Sequence, residues 1–406
     1  MNVGQEVLMR YRLMIIGLFC FVLLLGAGVF AQEDEFVFGM ILVGPKDDQG
    51  WSQAHFEGGR FVEDHVENTR MIFFESLNPA DSPDDSLLDV VTDMVDDGAQ
   101  LIFTTSDAFE DDTDEVALEF PDVTFINISG DHALTGEAPP NVGNIMGQME
   151  WGKQIAGCAA ALTTETGHIG YLGPLINNET RRLASSAYLG ARFCYEHFAG
   201  EDPDDLIFDV TWIGFWFNVP GVTLDPVEET NTFFDAGADV VISGIDTTEA
   251  ITVAAERAAA GEDVFVLPYD FSGACSVAEA ICLGVPYFNW GPAYVEVVEQ
   301  VRAGEWEQSW LWLPPDWSDL NNLETSAIGF VVGDGLDRER QDMLNQFIAD
   351  LANYATNPFV PDSLALWSGP LMLRDGSVLA GDGELVSPLD IWYLPQVLAG
   401  MNEFSG

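Results

Sequence analysis

The sequence predicts an α/β fold made of two doubly wound, parallel-sheet lobes with a cleft between them. Three observations carry this. Short apolar runs alternate with helix-length amphipathic segments from residue 36 onward, the pattern of βαβ units. The alternation occurs twice in succession rather than once. The chain has 406 residues, 48% of them hydrophobic, which is too much for one ordinary core and suited to two.

In the first set, residues 36–43 read as a buried strand, and 52–65 as a helix after a polar loop. A strand over 71–74, a helix over 86–95, a strand over 101–104, a helix over 115–120 and a strand over 123–128 complete it. The second set opens after a helix over 151–162. Strands over 169–172, 206–212, 240–242 and 264–267 then alternate with helices over 180–198, 227–234 and 247–260. The repeat is one of topology, with no motif recurring at a fixed period. Beyond it, Trp306, Trp310, Trp312 and Trp317 crowd a proline-containing stretch that reads as a strand or loop over a hinge. Residues 328–332 and a helix over 339–354 return to a lobe, and Arg374-Asp375-Gly376 and Gly381-Asp382-Gly383 mark turns in a tail. On this reading residues 36–148 and 268–318 form lobe 1, residues 149–267 and 324–356 form lobe 2, and 357–406 pack on the lobes as a tail.

Residues 1–31 read as a signal peptide. Arg10 and Arg12 flank an apolar run over 13–30, and Val29-Phe30-Ala31 offers small residues where a signal peptidase cuts. The expectation is export to the periplasm or the outer face of the plasma membrane. The run is about long enough to span a bilayer, so retention by an uncleaved anchor is the alternative. Cys20 lies inside the run and not at the cleavage point, so no lipid anchor is expected.

Fourteen Lys+Arg against 67 Asp+Glu give a formal net charge of −53, spread along the chain. Such a field repels nucleic acid and anionic lipid, and it excludes nucleic acid as a partner. It reads as a solvated acidic surface suited to high salt or low pH. The acidic clusters 111–115 and 201–205 lack the alternating ligands and turn glycine of a calcium loop, so no metal site is expected. Cys158, Cys194, Cys275 and Cys282 permit three pairings or remain as buried thiols. On one continuous helix Cys275 and Cys282 would stand about 10 Å apart, too far to bridge. There is no nucleophile elbow, zinc-protease helix, P-loop or dinucleotide fingerprint, so neither an enzyme nor a cofactor is predicted. Paired carboxylates for glycosidase work carry no weight among 67 acids.

Ligands of parallel α/β sheets sit beyond the carboxyl ends of strands. That rule selects Trp51 and His55 after the first strand, and Ser106 and Phe109 after the third. In the second half it selects Trp216, Gly244 with Asp246, and Asp270, followed by Asn289-Trp290 before a helix near Pro292. Trp212 and Phe217 read as core, His55 as helix surface or hinge, and Asp270 as either an edge reader or a helix cap. Aromatic faces from both lobes with polar groups at the edges suit a flat polar ring.

These segments carry a family resemblance. Gly50-Trp51 with His55 and Gly59-Arg60, Leu101 to Ser106, Trp212 with Trp216-Phe217-Asn218, Gly237-Ala238-Asp239-Val240, Asn289-Trp290-Gly291-Pro292, and Ser368-Gly369-Pro370-Leu371 with Asp375-Gly376 run collinearly. From about Phe36 to Met401 the chain resembles the basic membrane protein (BMP) family of ABC-transporter solute-binding proteins, the family of purine nucleoside receptor A, and its purine-binding branch most closely. The resemblance implies a type I periplasmic-binding-protein fold, with two Rossmann-like lobes joined by three crossing strands and closing by hinge motion. It implies that Trp216 stacks on a base, that Trp51 lies beside the first ligand loop, and that Asp270 is an acidic residue reached from the hinge. Asn289-Trp290 stands where the nucleoside-binding branch has a lysine, which points toward a free base. The loop Pro45-Lys46-Asp47-Asp48 is longer than in the purine-binding branch. The expectation is therefore a monomeric, non-catalytic receptor for a purine or similar heterocycle, working with an ABC permease and ATPase. An extracellular sensor subunit without transport and an acidic exported hydrolase are the alternatives.

Overall fold

Two parallel sheets, each wound outward from its own central strand, form the body of the protein. The computed structural model describes residues 35–357 and 364–405; the leader expected over 1–31, with its cleavage site and anchor alternative, lies outside the described residues. The first sheet contains β1 (Phe36–Ile41), β2 (Thr69–Phe74), β3 (Ala99–Thr104), β4 (Thr124–Ile128), β5 (Val142–Gly147) and β11 (Trp310–Leu313), in the order β11-β5-β4-β3-β1-β2. Its crossovers carry α1 (Trp51–His65), α2 (Leu87–Asp96), α3 (Glu110–Glu119) and the short α4 (His132–Thr135). The second contains β6 (His168–Gly173), β7 (Ile207–Trp212), β8 (Val240–Ser243), β9 (Phe265–Leu267) and β15 (Met401–Ser405), in the order β15-β7-β6-β8-β9. It is served by α5 (Met149–Thr163), α6 (Asn178–His197), α7 (Pro226–Asp235) and α8 (Glu249–Ala259). Every pairing in both sheets is parallel. Helices cover both faces, so the central strands are buried throughout and read as unbroken apolar runs; β1 is FVFGMI with all six residues buried.

The sequence places most of these elements, but not β5 or β10 (Gly284–Phe288). In β5 two glycines and Asn144 interrupt the apolar run, and in β10 a proline does. The tryptophan-rich stretch supplies β11, an edge strand of the first sheet. The final strand, β15, is mostly polar and half exposed, and extends the second sheet beside β7. Strands β10 and β12 (Ile328–Val332) pair antiparallel. After β10 comes α9 (Gly291–Ala303), packed on α1, and after β12 comes α10 (Arg338–Thr356), packed on α5. With the β5–α5 step, the chain therefore passes three times between the lobes. A small hairpin of β13 (Leu371–Met372) and β14 (Val378–Ala380), then α11 (Pro388–Trp392), make up the rest of the tail.

Helices α5 and α6 cross closely in lobe 2. A Cβ at Gly157 would stand 1.8 Å from the carbonyl oxygen of Ala187, so no larger residue fits. Ala156, Ala160, Ala184 and Ala191, all fully buried, continue the contact. The Cys158–Cys194 disulfide staples the same pair, at a Cα–Cα distance of 5.1 Å. Cys275 and Cys282 are also bridged, at 5.5 Å, contrary to the distance argued for a continuous helix. The chain there forms two 3₁₀ turns, Ala274–Val277 and Glu279–Ile281, broken at Ala278 (φ −156°), which folds the cysteines back together. Both pairings replace the free-thiol alternative.

Closing a loop across 36 residues makes the α5–α6 staple the more stabilising of the two. Replacing Cys158 and Cys194 together with Ala should cost about 2–4 kcal/mol of unfolding free energy. Denaturant titration checks this, with mapping of the disulfide-linked peptides as the test of pairing.

Candidate ligand cleft

In both sheets the strand order reverses beside the first strand, at β1/β3 and at β6/β8. At such a switch point two loops leave in opposite directions and open a crevice. The loops from both switch points meet in one enclosed pocket. Trp51 follows β1, Ser106 and Asp107 follow β3, Glu179 follows β6 and Asp246 follows β8; Ser129, Trp216 and Tyr269 complete the lining. The pocket is tightly closed, with a cavity volume of about 10 Å³.

Each loop is locally fixed. The Asp48 carboxylate accepts hydrogen bonds from the backbone N–H groups of Gly50 (2.8 Å), Ser52 (3.0 Å) and Gln53 (3.0 Å), capping the start of α1. Trp51, the first residue of α1, donates its indole N–H to the Thr105 carbonyl at 2.6 Å, which sets its ring beside the β3 loop. Ser106 Oγ accepts from Ala108 N–H at 3.2 Å. Asn177 caps α6 through a reciprocal box with Thr180, and its amide also donates to Asp107 Oδ2 at 3.0 Å, a bond between the lobes. The Asp246 N–H donates to the Trp216 carbonyl at 3.0 Å and ties two lobe 2 loops together. The lobes touch most closely at Gly50, where a Cβ would lie 1.7 Å from the Asp246 carbonyl oxygen.

The electrostatics are unusual. Glu179 and Asp246 are each 6% exposed, and among the described residues no protein group hydrogen-bonds either carboxylate. Burial pushes Glu179 up to about 8, against the opposing charge of Arg182. Burial, reinforced by Asp270, pushes Asp246 well above the carboxylate range. Asp270 is likewise raised, is fully buried, and leaves both carboxylate oxygens unpaired. Lys153, from α5, is held down at about 7 by burial, although the Asp270 charge opposes this. Its Nζ donates to the Ser243 carbonyl at 2.7 Å and sits 3.3 Å from the centre of the Tyr269 ring. The indole N–H of Trp216 and the hydroxyl of Tyr269 have no partner among the described residues. Aromatic faces, unpaired acceptors and two unpaired donors thus surround one small space. No group of His, Cys, Asp and Glu able to hold a metal ion occurs among the described residues.

Of the residues selected from sequence, Trp51, Ser106, Trp216 and Asp246 line this pocket. The others lie outside its lining. His55 is fully buried rather than at the surface, shares a 2.6 Å hydrogen bond with the Tyr294 hydroxyl and stacks on Trp290 at 4.4 Å. Burial alone holds it neutral. Trp290 in turn stacks on Phe288 at 4.8 Å, so both rings form a backing layer behind Trp51. Phe109 is packed in the lobe 1 core. Gly244 gives room to the Tyr171 hydroxyl. Asp270 caps no helix; at φ +70° it bridges to Tyr287 beside β9 and acts on the pocket through its charge. The Asn289 amide is spent on the Leu323 and Ser326 carbonyls, at 3.0 and 2.7 Å, where it anchors a hinge loop. Asp107, in the same strand-end loop as Ser106, also lines the pocket, whereas Ser129, Glu179, Tyr269 and Lys153 were not selected. Glu179 carried a usable signal, an acid in the first turn of the helix that follows β6, whereas Lys153 lies in the middle of α5, away from any strand end, and gave none.

Residues 36–313 match the family described as ABC transporter substrate-binding protein, PnrA-like. A protein named purine-binding protein from Brucella abortus is 27% identical over 380 residues, 93% of this chain and 94% of its own length. A protein named as an ABC transporter glucose-binding protein from Haloferax volcanii is 26% identical over 265 residues, 65% of this chain and 61% of its own. Among solved structures, a solute-binding protein from Conexibacter woesei superposes with a TM-score of 0.57 at 18% identity, covering 81% of this chain and 99% of that one. One from Aeropyrum pernix gives 0.59 at 14%, covering 81% and 82%. These two show the type I periplasmic-binding fold.

Two expectations follow from the geometry. A Gly50→Ala chain should keep the larger, open radius of gyration in small-angle scattering under ligand conditions that contract the parent. Glu179 binds its proton more tightly folded than unfolded, so its stabilising contribution is complete below about pH 4.5 and is lost as pH rises through about 8. Glu179→Gln should therefore flatten the fall in melting temperature across that window by a few degrees; an unchanged slope refutes the burial argument.

Proposed function

The chain belongs to the PnrA-like family of ABC transporter substrate-binding proteins, and from that premise we propose that its cleft captures a purine base or a closely related aromatic heterocycle. Proteins of this family bind small molecules and work with permease and ATPase subunits in the membrane. The observation that carries the proposal is the pairing of one indole from each lobe, Trp51 and Trp216, in a single pocket with the unpaired carboxylates of Glu179 and Asp246. Indole faces stack on a π-system, with about 0.5–1.5 kcal/mol per pair beyond area burial. Carboxylates accept from ring and exocyclic N–H groups, while the Trp216 N–H and Tyr269 O–H donate to ring nitrogens or carbonyls.

The preference for a base over a nucleoside rests on size. The closed cavity is only about 10 Å³, so the lobes must part to admit any ligand, and a flat base asks for less opening than a base carrying its sugar. It does not rest on Asn289, whose amide is committed to the hinge. The Brucella relative, aligned over nearly the whole chain, supports the purine reading; the Haloferax relative's name supports a sugar, over a shorter span. Closure at Gly50 and Asp107 leaves the pocket without an open path for turnover, in keeping with capture and release by a monomeric, non-catalytic receptor outside the membrane. No described helix is long and apolar enough to cross one.

Adenine, guanine, hypoxanthine and their nucleosides, each added to purified protein at saturating concentration, should include at least one that raises the melting temperature and quenches tryptophan fluorescence. At a hundredfold excess over Kd the stabilisation is about 2.7 kcal/mol. Trp216→Ala should abolish the shift. A panel in which no compound moves either signal ends the purine reading.

A further inference from the structure

The cleft carries more negative charge than its own residues answer. Each lobe brings acids to the closing face: Asp48 and Asp107 from lobe 1, Glu179 and Asp246 from lobe 2, with Asp270 behind them. Asp48 is met by three backbone N–H groups, and Asp107 by the Ser106 hydroxyl and the Asn177 amide. Glu179 and Asp246 meet no such donor. Both line the cavity, and unlike Asp270, whose two oxygens are sealed inside the protein, they open onto it. An occupant of the cleft can therefore reach them.

The nearby cations are already engaged. Lys153 gives its ammonium to the Ser243 carbonyl at 2.7 Å and to the face of Tyr269 at 3.3 Å. Arg182 bonds Glu150 at 2.5 Å and lies on the Trp392 ring. Lys46, in the loop before α1, pairs with Glu75 at 3.0 Å. No lysine, arginine or histidine among the described residues lines the cavity. Glu179 feels Arg182 and Lys153 against Asp107 and Glu150, whereas the charges acting on Asp246 are the acids Asp270, Asp48, Glu179 and Asp107. A carboxylate taken out of water is costly unless positive charge meets it. The faces of Trp51, Trp216 and Tyr269 also attract cations, and a chain of net charge −53 draws them in.

Resting on the reading of the cleft as a heterocycle site, we propose that the ligand is held there as a cation. It is a heterocycle with an amino group beside a ring nitrogen, protonated on that nitrogen, whose two adjacent N–H groups bond one carboxylate, Glu179 or Asp246, as a pair. The proton comes from solvent and stays on the ring nitrogen in the complex. Paired, charge-assisted hydrogen bonds of this kind are about twice as strong as neutral ones. An oxo group in place of the amino group would set oxygen against oxygen, so the cleft selects amino- over oxo-heterocycles.

The test uses the purified full chain with adenine and hypoxanthine, which share a ring system and differ by amino against oxo at one position. Calorimetry should find adenine bound at least tenfold more tightly. Nitrogen-15 NMR of ring-labelled adenine in the complex, at neutral pH, should show one ring nitrogen far upfield, where the protonated base resonates. The double variant Glu179→Gln, Asp246→Asn, shown to be folded by its melting curve, should bind adenine at least tenfold more weakly, because neutral amides cannot balance a cation. Hypoxanthine bound as tightly as adenine, bound adenine with the resonances of the neutral base, or unchanged adenine affinity in the folded variant each overturns the proposal and leaves the heterocycle reading standing. The NMR arm needs no variant, so the proposal stays testable if the double variant does not fold. If no base or nucleoside binds the parent, both readings fall together.

Discussion

Carboxylates brought out of water without partners are the constraint around which the cleft is built. A buried acid either finds a donor, takes a proton, or opposes the closure that buries it. Asp48 finds donors, three N–H groups at the start of α1, and Asp107 finds the Asn177 amide across the lobes. Glu179, Asp246 and Asp270 find none among the described residues, and each is driven toward its protonated form by burial. In a chain of net charge −53 this is not a surplus of surface acid turned inward by accident. The acids on the surface are solvated; these three sit at strand ends in the closed interface. Closure of the lobes is thus linked to whatever supplies protons or N–H donors to them, and a ligand rich in N–H edges does so directly.

The fold determines where that constraint falls. The first four strands of each sheet follow the same order, so each lobe offers two loops at its switch point, and the loops face each other when the lobes close. Gly50 allows them to meet: any side chain there would run into the Asp246 carbonyl. Trp51 comes one residue later and is held by Thr105, so the position of an aromatic face and the distance of closest approach are set by the same turn. The layer behind it, Trp290 on His55 and His55 on Tyr294, is fully packed and neutral. A charged imidazole there would meet no counter-charge, which is why His55 belongs to the support of the site and not to its chemistry.

The strands, helices and two-lobed plan were legible because buried parallel strands are unbroken apolar runs and their helices keep a regular period. Strand ends were therefore legible too, and with them Trp51, Ser106, Trp216 and Asp246. What was not legible depends on direction and depth. Asn289 follows a strand just as Asp246 does, yet its amide turns to the 323–326 loop, and nothing in its neighbours' identity says so. Lys153 reaches Tyr269, a wall of the cleft, from the middle of α5, where a lone lysine in a helix reads as solvent-facing surface although this helix is buried nearly all round. The Cys275–Cys282 bridge was misjudged because helical spacing was assumed where the chain makes two broken turns. The edge strand β15 escaped notice because, half exposed, it lacks an apolar run.

The tail is the remaining structural element with a mechanical consequence. Trp392 donates its indole N–H to Asp131 Oδ2 at 2.8 Å in lobe 1 and meets Trp310 and Trp312 edge-on at 4.8 and 5.2 Å. Its face also receives the Arg182 guanidinium of lobe 2 at 4.1 Å. Arg182 is itself buried and paired with Glu150 of α5, and its charge acts on Glu179 in the cleft. One arginine therefore touches the tail, pairs with α5 and acts on the ligand pocket at once. A lobe rotation that separates Arg182 from Trp392 would remove a cation–π contact and leave an arginine whose Nη2 already lacks a partner still less well satisfied. The closed arrangement is held not only by what the cleft contains but by a tail residue that can be fully packed only when both lobes are in place.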